Sequence, residues 1–142
     1  MDISLTLEKE LLMSAANESG ARIMVGKPAD YPGATSPMEM VLEAIAGCSS
    51  IDILMILEKQ KAAVRRYDVQ VHGEREQGNA ATPFTEIVLH YAIDTDASEE
   101  KVLRAVQLSV EKYCSVAKML EKSVNIRYTL SVNGHPVEPH TL

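Results

Sequence analysis

Two cysteines are the side chains of this sequence with the clearest capacity for chemistry. Cys48 and Cys114 stand far apart in the chain, and neither has a second cysteine close to it. Because no Cys-x-x-Cys pair occurs, neither a thioredoxin-type redox motif nor a zinc ribbon is indicated. An isolated cysteine can also be a small buried hydrophobe, so its surroundings must decide between packing and reactivity.

A packing role is the more common one for an isolated buried cysteine, but two features around Cys48 weaken that interpretation. Ala44, Ala46 and Gly47 are small, so another group can approach the sulfur. Asp52 follows one helical turn later, on the same face of a helix. A buried carboxylate needs a partner, and Asp52 could therefore belong to an orienting network with an arginine or to an ordinary salt bridge.

Cys114 lies where one helical pattern ends and a fresh turn can begin, in the stretch Lys112-Tyr-Cys-Ser-Val116. Ser115 is a possible cap of that new turn. A cysteine near the N-terminus of a helix has its thiolate stabilised by the helix. We therefore expect the Cys114 thiolate to be stabilised in this position.

Other reactive groups are not arranged for chemistry. The four histidines, His72, His90, His135 and His140, do not have the spacing of a local metal motif, and we expect all four at the surface. No phosphate-binding loop, nucleophile elbow or HExxH motif occurs. The sequence therefore predicts neither a metal nor a prosthetic group.

Composition restricts the class of protein further. The 142 residues are 46% hydrophobic and 24% charged, which is typical of one globular domain, here residues 1–142. The net charge of −6 disfavours nucleic acid as a partner, because phosphate binding needs a basic surface.

The location of the protein follows from two further observations. Residues 40–57 are apolar, but Glu43 and Asp52 favour a buried helix of a soluble protein over a membrane span. The start, Met-Asp-Ile-Ser, lacks the features of a signal peptide. We expect a cytoplasmic protein without a membrane partner, whose thiols are normally reduced.

Hydrophobic periodicity predicts the elements that must position the two thiols. Period-two alternation predicts strands near residues 3–7, 67–71, 87–93 and 126–132. A turn signal at residues 17–20 predicts one further short strand at 21–25. A long central helix is predicted from the capping box of Ser36 and Glu39 to about Ala62, and a second helix is predicted from about Ser98 to Leu120. The order predicts an α+β fold, a mostly antiparallel sheet packed with a long central helix and a second helix. The central helix is apolar nearly all round, which indicates burial against a second copy in a homodimer.

Two separate motifs resemble signatures of the OsmC/Ohr (organic hydroperoxide reductase) family. The stretch Ser36-Pro-Met-Glu39, followed by Ala46-Gly-Cys48-Ser-Ser-Ile-Asp52, is similar to the central-helix signature of that family. The stretch Lys112-Tyr-Cys-Ser-Val116 resembles the second-cysteine signature of its YhfA-like branch. Together with the order of elements, the resemblance covers nearly the whole chain.

The resemblance implies an intertwined α+β homodimer that reduces organic hydroperoxides and is recycled by a dithiol such as a lipoylated protein. It assigns the peroxide-reactive thiol to Cys48 and the resolving thiol to Cys114. Attack on the peroxide would leave a sulfenic acid on Cys48, which Cys114 would capture as a disulfide.

The family also uses an arginine and a glutamate beside the reactive thiol. Arg22 is the candidate for the arginine because it follows Gly20 in the N-terminal hairpin, and it would stabilise the thiolate and hold the peroxide. The family's glutamate directly follows the proline of the helix start, where this sequence has Met38, with Glu39 one place later. The rise of a helix separates Glu39 from Cys48 by about 13 Å. Glu39 is therefore expected to reach this thiol only from a partner subunit.

Two further function classes remain as alternatives. A non-enzymatic ligand-binding or redox-sensing dimer on the same scaffold would suit the missing glutamate and an aliphatic, methionine-rich lining. Acyl transfer by a thiol ranks last, because no histidine is placed to act as its base.

Overall fold

The computed structural model describes the backbone of residues 1–141 and the side chains of residues 1–138. The chain forms two compact units, residues 1–41 and 42–142. The predicted α+β class is confirmed, with one antiparallel sheet, one mixed sheet and three α-helices.

The N-terminal unit contains a three-stranded antiparallel sheet in the order β1-β2-β3. The strands are β1 (Ile3–Lys9), β2 (Leu12–Asn17) and β3 (Arg22–Val25). Strand β2 was not predicted, because apolar and polar residues do not alternate along it. Its sequence is Leu-Met-Ser-Ala-Ala-Asn. The chain reverses between β1 and β2 at Glu10, which has a left-handed φ of 47°.

Helix α1 (Pro37–Lys59) begins at the predicted capping box. The Glu39 carboxylate accepts the Ser36 backbone N–H at 2.7 Å, and the Ser36 hydroxyl accepts the Glu39 N–H at 3.3 Å. These bonds satisfy two of the amide groups that a helix start otherwise leaves without partners. The helix ends at Lys59, slightly before the predicted end.

The C-terminal unit contains a four-stranded sheet in the order β4-β5-β6-β7. Its strands are β4 (Val64–Arg75), β5 (Phe84–Thr95), β6 (Asn125–Val132) and β7 (His135–Thr141). Within this sheet only the β5–β6 pair is parallel, because the helical segment between these strands returns the chain to the end of the sheet at which β5 begins. Strand β7 was not predicted. The Asn133-Gly134 pair before it is a sequence signal for a tight hairpin turn, and both residues have the positive φ angles of such a turn.

The core of this unit lies between one face of the sheet and the helices. Every second residue of β5 is buried on that face, including Ile87, Leu89, Tyr91 and Ile93. Helix α1 contributes a row at four-residue spacing, Ile45, Ser49, Ile53 and Leu57. Such spacing aligns side chains on one face of a helix, and α1 buries this single face in the unit.

The opposite side of α1 is open in the single chain. Ile51 and Met55 are 61% and 49% exposed, and Ala44 and Gly47 continue the same row. By length and composition alone, α1 could also cross a membrane. The hydrophobic surface of α1 is therefore larger than the rest of the unit covers. This agrees with the sequence, in which apolar residues lie nearly all round this helix.

The predicted second helix is divided into two. Helix α2 (Glu99–Leu108) starts at Ser98, whose hydroxyl accepts the Lys101 N–H at 3.4 Å. A single π-helical turn, Ser109–Tyr113, follows, and helix α3 (Ser115–Leu120) begins after Cys114. The apolar periodicity predicted one helix from about Ser98 to Leu120, and the π turn was not predicted. The fresh turn predicted after Cys114 is confirmed, because α3 begins there.

Candidate active site at the two cysteines

The tertiary structure brings the two thiols together. Cys48 lies in the middle of α1, and Cys114 lies between the π turn and α3. Both cysteines are reduced, and a hydrogen bond joins their side chains. The pair thus has the proximity that disulfide formation requires, although it belongs to distant parts of the chain.

The two thiols differ in access to solvent. Cys114 is 0% exposed, whereas Cys48 is half-buried. A molecule arriving from solvent can therefore contact part of Cys48 and no part of Cys114. The two thiols are chemically identical, but they therefore differ in their access to molecules from solvent.

The Cys114 thiol is held in its protonated form. Burial raises its pKa to about 11, and its hydrogen bond with Cys48 acts in the same direction. Cys114 itself caps α3, since its sulfur accepts the Ala117 N–H at 3.4 Å. The helix start therefore lowers the pKa as expected, but burial outweighs this effect, and the predicted thiolate stabilisation was wrong. The predicted cap at Ser115 was wrong by one residue.

The π turn sets the direction of Cys114. The Cys114 N–H donates to the Ser109 carbonyl at 2.8 Å, which is the bond that closes the wide turn. The turn ends with Cys114 in an extended conformation, with ψ at 104°. Single π turns within α-helices occur frequently at functional sites.

Ser109 connects this turn with the helix that carries the other thiol. Its buried hydroxyl donates to the Ser49 carbonyl at 2.9 Å and lies 3.5 Å from an Asp52 carboxylate oxygen. Among the described side chains, residues 1–138, Asp52 makes no ion pair. Neither the arginine partner nor the salt bridge considered for Asp52 is present in the single chain, where Ser109 contacts this carboxylate.

Two tyrosines of the sheet support α1 directly after Cys48. The Ser49 hydroxyl bonds to the Ala46 carbonyl at 3.2 Å, so at 2.7 Å it accepts the hydroxyl hydrogen of Tyr91. Tyr67 donates to the Ser50 hydroxyl at 2.9 Å. Burial raises the pKa values of both phenols, that of Tyr67 to about 12, so both remain neutral donors.

These tyrosines were not predicted to be part of the site. Tyr67 and Tyr91 lie on the apolar sides of alternating strand patterns, where a tyrosine hydroxyl needs a partner. This need for a hydrogen-bond partner was the feature of the sequence that could have indicated their role. The partners, Ser49 and Ser50, could not be identified because the register between helix and sheet is a long-range property.

The two remaining predicted site residues belong to the N-terminal unit. Arg22 is exposed at the start of β3. Glu39 is engaged in the capping box, and the Ser36 backbone hydrogen bond lowers the pKa of its carboxyl group. The roles of Arg22 and Glu39 beside the reactive thiol stay predictions.

The part of the chain that the structure describes contains no group of three or more His, Cys, Asp and Glu side chains suited to a metal ion. His72, His90 and His135 are exposed, as predicted, and the His140 side chain lies outside the described residues. A groove of about 640 Å³ runs beside Asp52 and the π turn. Its lining comprises Asp52, Met55, Ile56, Lys59, Gln60, Leu108 and Tyr113.

Comparison with known proteins identifies the scaffold. Residues 28–129 match the model of the OsmC-like protein family. The chain is 49% identical over 100 residues to protein YhfA of Escherichia coli K12, a match that covers 70% of this chain and 74% of YhfA. The predicted resemblance to this family is confirmed.

Solved structures agree with that assignment. A hypothetical protein from Aquifex aeolicus VF5 is 30% identical with a TM-score of 0.83, over 93% of this chain and 95% of that one. An organic hydroperoxide resistance protein OsmC from Legionella pneumophila shares the fold at 16% identity, with a TM-score of 0.70, over 92% and 96% of the two chains. With its paired thiols on the matching scaffold, the chain belongs to the OsmC-like protein family.

Proposed function

We propose that this protein is a thiol peroxidase that reduces organic hydroperoxides through Cys48 and Cys114. One observation carries the proposal: two reduced thiols are in contact, and only Cys48 is accessible. A peroxidase needs one thiol that meets the substrate and a second that acts only after the first is oxidised. The difference in burial supports the first role for Cys48 and the second for Cys114.

The reaction has two steps. The Cys48 sulfur attacks the distal oxygen of the hydroperoxide, the O–O bond breaks, and an alcohol leaves with the thiol proton while Cys48 becomes a sulfenic acid. The Cys114 sulfur then attacks the Cys48 sulfur, and the sulfenic hydroxyl leaves as water with the Cys114 proton. Because the thiolate is the attacking form of a cysteine, Cys114 loses its proton as its sulfur attacks, and the departing hydroxyl takes this proton.

The disulfide must be reduced by an external dithiol to complete the cycle. A dithiol, such as that of a lipoylated protein, attacks one sulfur of the disulfide, forms a mixed disulfide and then closes its own ring. Both cysteines return to thiols. The proposed partners are therefore an organic hydroperoxide and a cytoplasmic dithiol, and neither nucleic acid nor membrane takes part.

The names of relatives support the substrate class. The Legionella pneumophila structure bears the name organic hydroperoxide resistance protein, as does one from Elizabethkingia anophelis at 16% identity. Arg22 is proposed to stabilise the Cys48 thiolate and hold the peroxide, with Glu39 of a partner subunit supporting it. The Arg22→Ala variant should react more slowly with peroxide at Cys48, while Lys27→Ala serves as its control.

We also propose that the functional unit is a homodimer in which α1 packs against α1 of a second copy. The open row of α1 begins with the small residues Ala44 and Gly47, which allow close approach, and continues with Ile51 and Met55. Glu43 and Glu58 are exposed at the two ends of this region. They are separated by about 22 Å of helix, less than the roughly 30 Å of a bilayer core. This length favours a second copy over lipid as the cover.

The test is continuous consumption of cumene hydroperoxide by the full chain with dihydrolipoamide as reductant. We expect many turnovers from the wild type and only background consumption from Cys48→Ser. Absence of turnover with this and with other dithiols, while both cysteines remain reduced, would contradict the proposal.

A second candidate function is a redox-sensing or ligand-binding dimer with the same cysteine pair. Two observations favour it: the Glu39 carboxylate is already used as a cap, and a groove with apolar lining borders the π turn. A sensor would form the disulfide once and keep it, because no dithiol would recycle it quickly. The turnover number measured above therefore separates the two functions.

A further inference from the structure

Ser109 occupies an unusual position between the two sulfurs. Its hydroxyl donates to the Ser49 carbonyl, in the residue directly after Cys48, and its own carbonyl accepts the Cys114 N–H. The two distances are 2.9 and 2.8 Å. One buried residue therefore bonds to the backbone next to each thiol.

We propose that Ser109 is a positioning residue that holds Cys114 at Cys48 and thereby promotes formation of their disulfide. The inference rests on the proposed function for its biological meaning, but its physical content concerns the thiol pair alone. Ser109 contacts neither sulfur in its bonds described above, so it acts through the two backbones that carry them.

The geometry of the π turn gives a reason for the hydroxyl of Ser109, which bonds the turn to α1. In a continuous α-helix the Cys114 N–H would bond one residue later, and each residue turns the helix by about 100°. Relaxation of the π turn to α would therefore rotate Cys114 away from its present direction. The wide turn is intrinsically the less common form, and the bond from Ser109 to α1 stabilises it.

The inference separates the two chemical steps. Attack of Cys48 on a peroxide forms no bond to the Cys114 sulfur, so loss of the Ser109 hydroxyl should change this step less than it changes disulfide closure. Disulfide closure depends on how often the Cys114 sulfur lies at Cys48, which is its effective concentration. Ser109→Ala should therefore weaken closure more than it slows the reaction with peroxide.

The experiment equilibrates the purified full chain with glutathione buffers of known ratio and measures the Cys48–Cys114 disulfide by intact mass. In this exchange two protein thiols and one oxidised glutathione give the protein disulfide and two reduced glutathiones. We expect Ser109→Ala to lower the effective concentration of the pair by roughly tenfold, the size of one net hydrogen bond. Ser109→Thr, which keeps the hydroxyl, should stay within about threefold of the wild type.

A control separates positioning from general destabilisation. Ser123→Ala removes a distant, exposed hydroxyl that bonds to the Leu120 carbonyl, and it should not change the equilibrium. A variant that is destabilised equally in its reduced and oxidised forms also leaves this equilibrium unchanged. Ser109→Val has the shape of Ser109→Thr without its hydroxyl, and it replaces Ser109→Ala if that variant does not fold.

Peroxide kinetics complete the test. In a Cys114→Ser background, adding Ser109→Ala should change the rate of Cys48 oxidation by a smaller factor than it changes the effective concentration of the pair. An unchanged effective concentration in Ser109→Ala, or a loss confined to the peroxide step, would overturn the inference. Failure of the wild type to react with any peroxide would contradict the proposed peroxidase, while the glutathione equilibrium would still decide the role of Ser109.

Discussion

The two cysteines lie in helical segments of opposite construction. Cys48 is in the middle of an unbroken 23-residue helix, with small neighbours and access to solvent. Cys114 follows a π turn, caps a six-residue helix and is completely buried. In the proposed function, the regular helix holds the thiol that meets the substrate, whereas the irregular junction holds the thiol that meets only Cys48.

This difference shows how one residue type can supply two functions. In the proposed reaction, the half-buried Cys48 thiol needs an approach path for the peroxide. The buried Cys114 thiol needs a direction, which the π turn and the bond from Ser109 to α1 are proposed to provide. Burial also keeps Cys114 protonated.

The largest effect on the reaction with peroxide is expected when one cysteine at a time is replaced by serine. Cys48→Ser should lose reaction with stoichiometric cumene hydroperoxide, a decrease on the order of 10³-fold or more, because Cys114 is inaccessible. Cys114→Ser should consume about one equivalent and gain oxygen at Cys48, while the wild type should lose two hydrogens. Intact mass measures all three. Oxygen uptake by Cys48→Ser at the wild-type rate would reverse the assigned roles.

The protonation of Cys114 gives the next prediction. Burial raises its pKa from 9.0 to about 11 in the folded protein, so the unfolded chain releases this proton first as pH rises. Its contribution to stability is therefore complete below pH 9 and is lost between pH 9 and 11, by about 2 kcal/mol.

Urea unfolding of the reduced protein across this range measures the loss. Cys114→Ala lacks the group and serves as the reference, because the tyrosines titrate in both proteins. A stability difference between wild type and Cys114→Ala that does not change with pH would show that Cys114 is not held protonated by burial.

The open side of α1 gives a smaller effect. A Cβ added at Gly47 meets no atom within 4 Å in the single chain, so Gly47→Leu should leave the fold intact. In the proposed dimer it should obstruct close helix packing and raise the dissociation constant at least about tenfold. Sedimentation measures this, with Ala81→Leu in an exposed loop as the control. Unchanged association in Gly47→Leu would exclude this face as the interface.

The smallest effect concerns the tyrosines that support α1. Tyr91→Phe removes a buried hydrogen bond to Ser49 and should lower the free energy of unfolding by about 1 kcal/mol. Tyr67→Phe removes a less buried bond to Ser50 and should cost less. Chemical denaturation of both variants tests the order, and equal losses would indicate that the two bonds are equivalent.

The sequence by itself determined the elements with strong local patterns. The capping box at Ser36 and Glu39, the cap at Ser98 and the alternating strands β5 and β6 are where periodicity and local hydrogen bonding predicted them. The two cysteine motifs also sufficed to identify the family. These properties depend on residues within a few positions of one another, so a linear pattern contains them.

Only the tertiary structure decided how the two thiols differ. The contact between Cys48 and Cys114, the burial of Cys114 and the bond from Ser109 to α1 all join distant segments. The apolar spacing of residues 103–120 suits a continuous helix, yet the chain forms a π turn there, because contacts across the core outweigh the local preference for α. Burial likewise reverses the direction that a helix start alone gives to the Cys114 pKa, since desolvation of a thiolate exceeds the stabilisation from a few backbone amides.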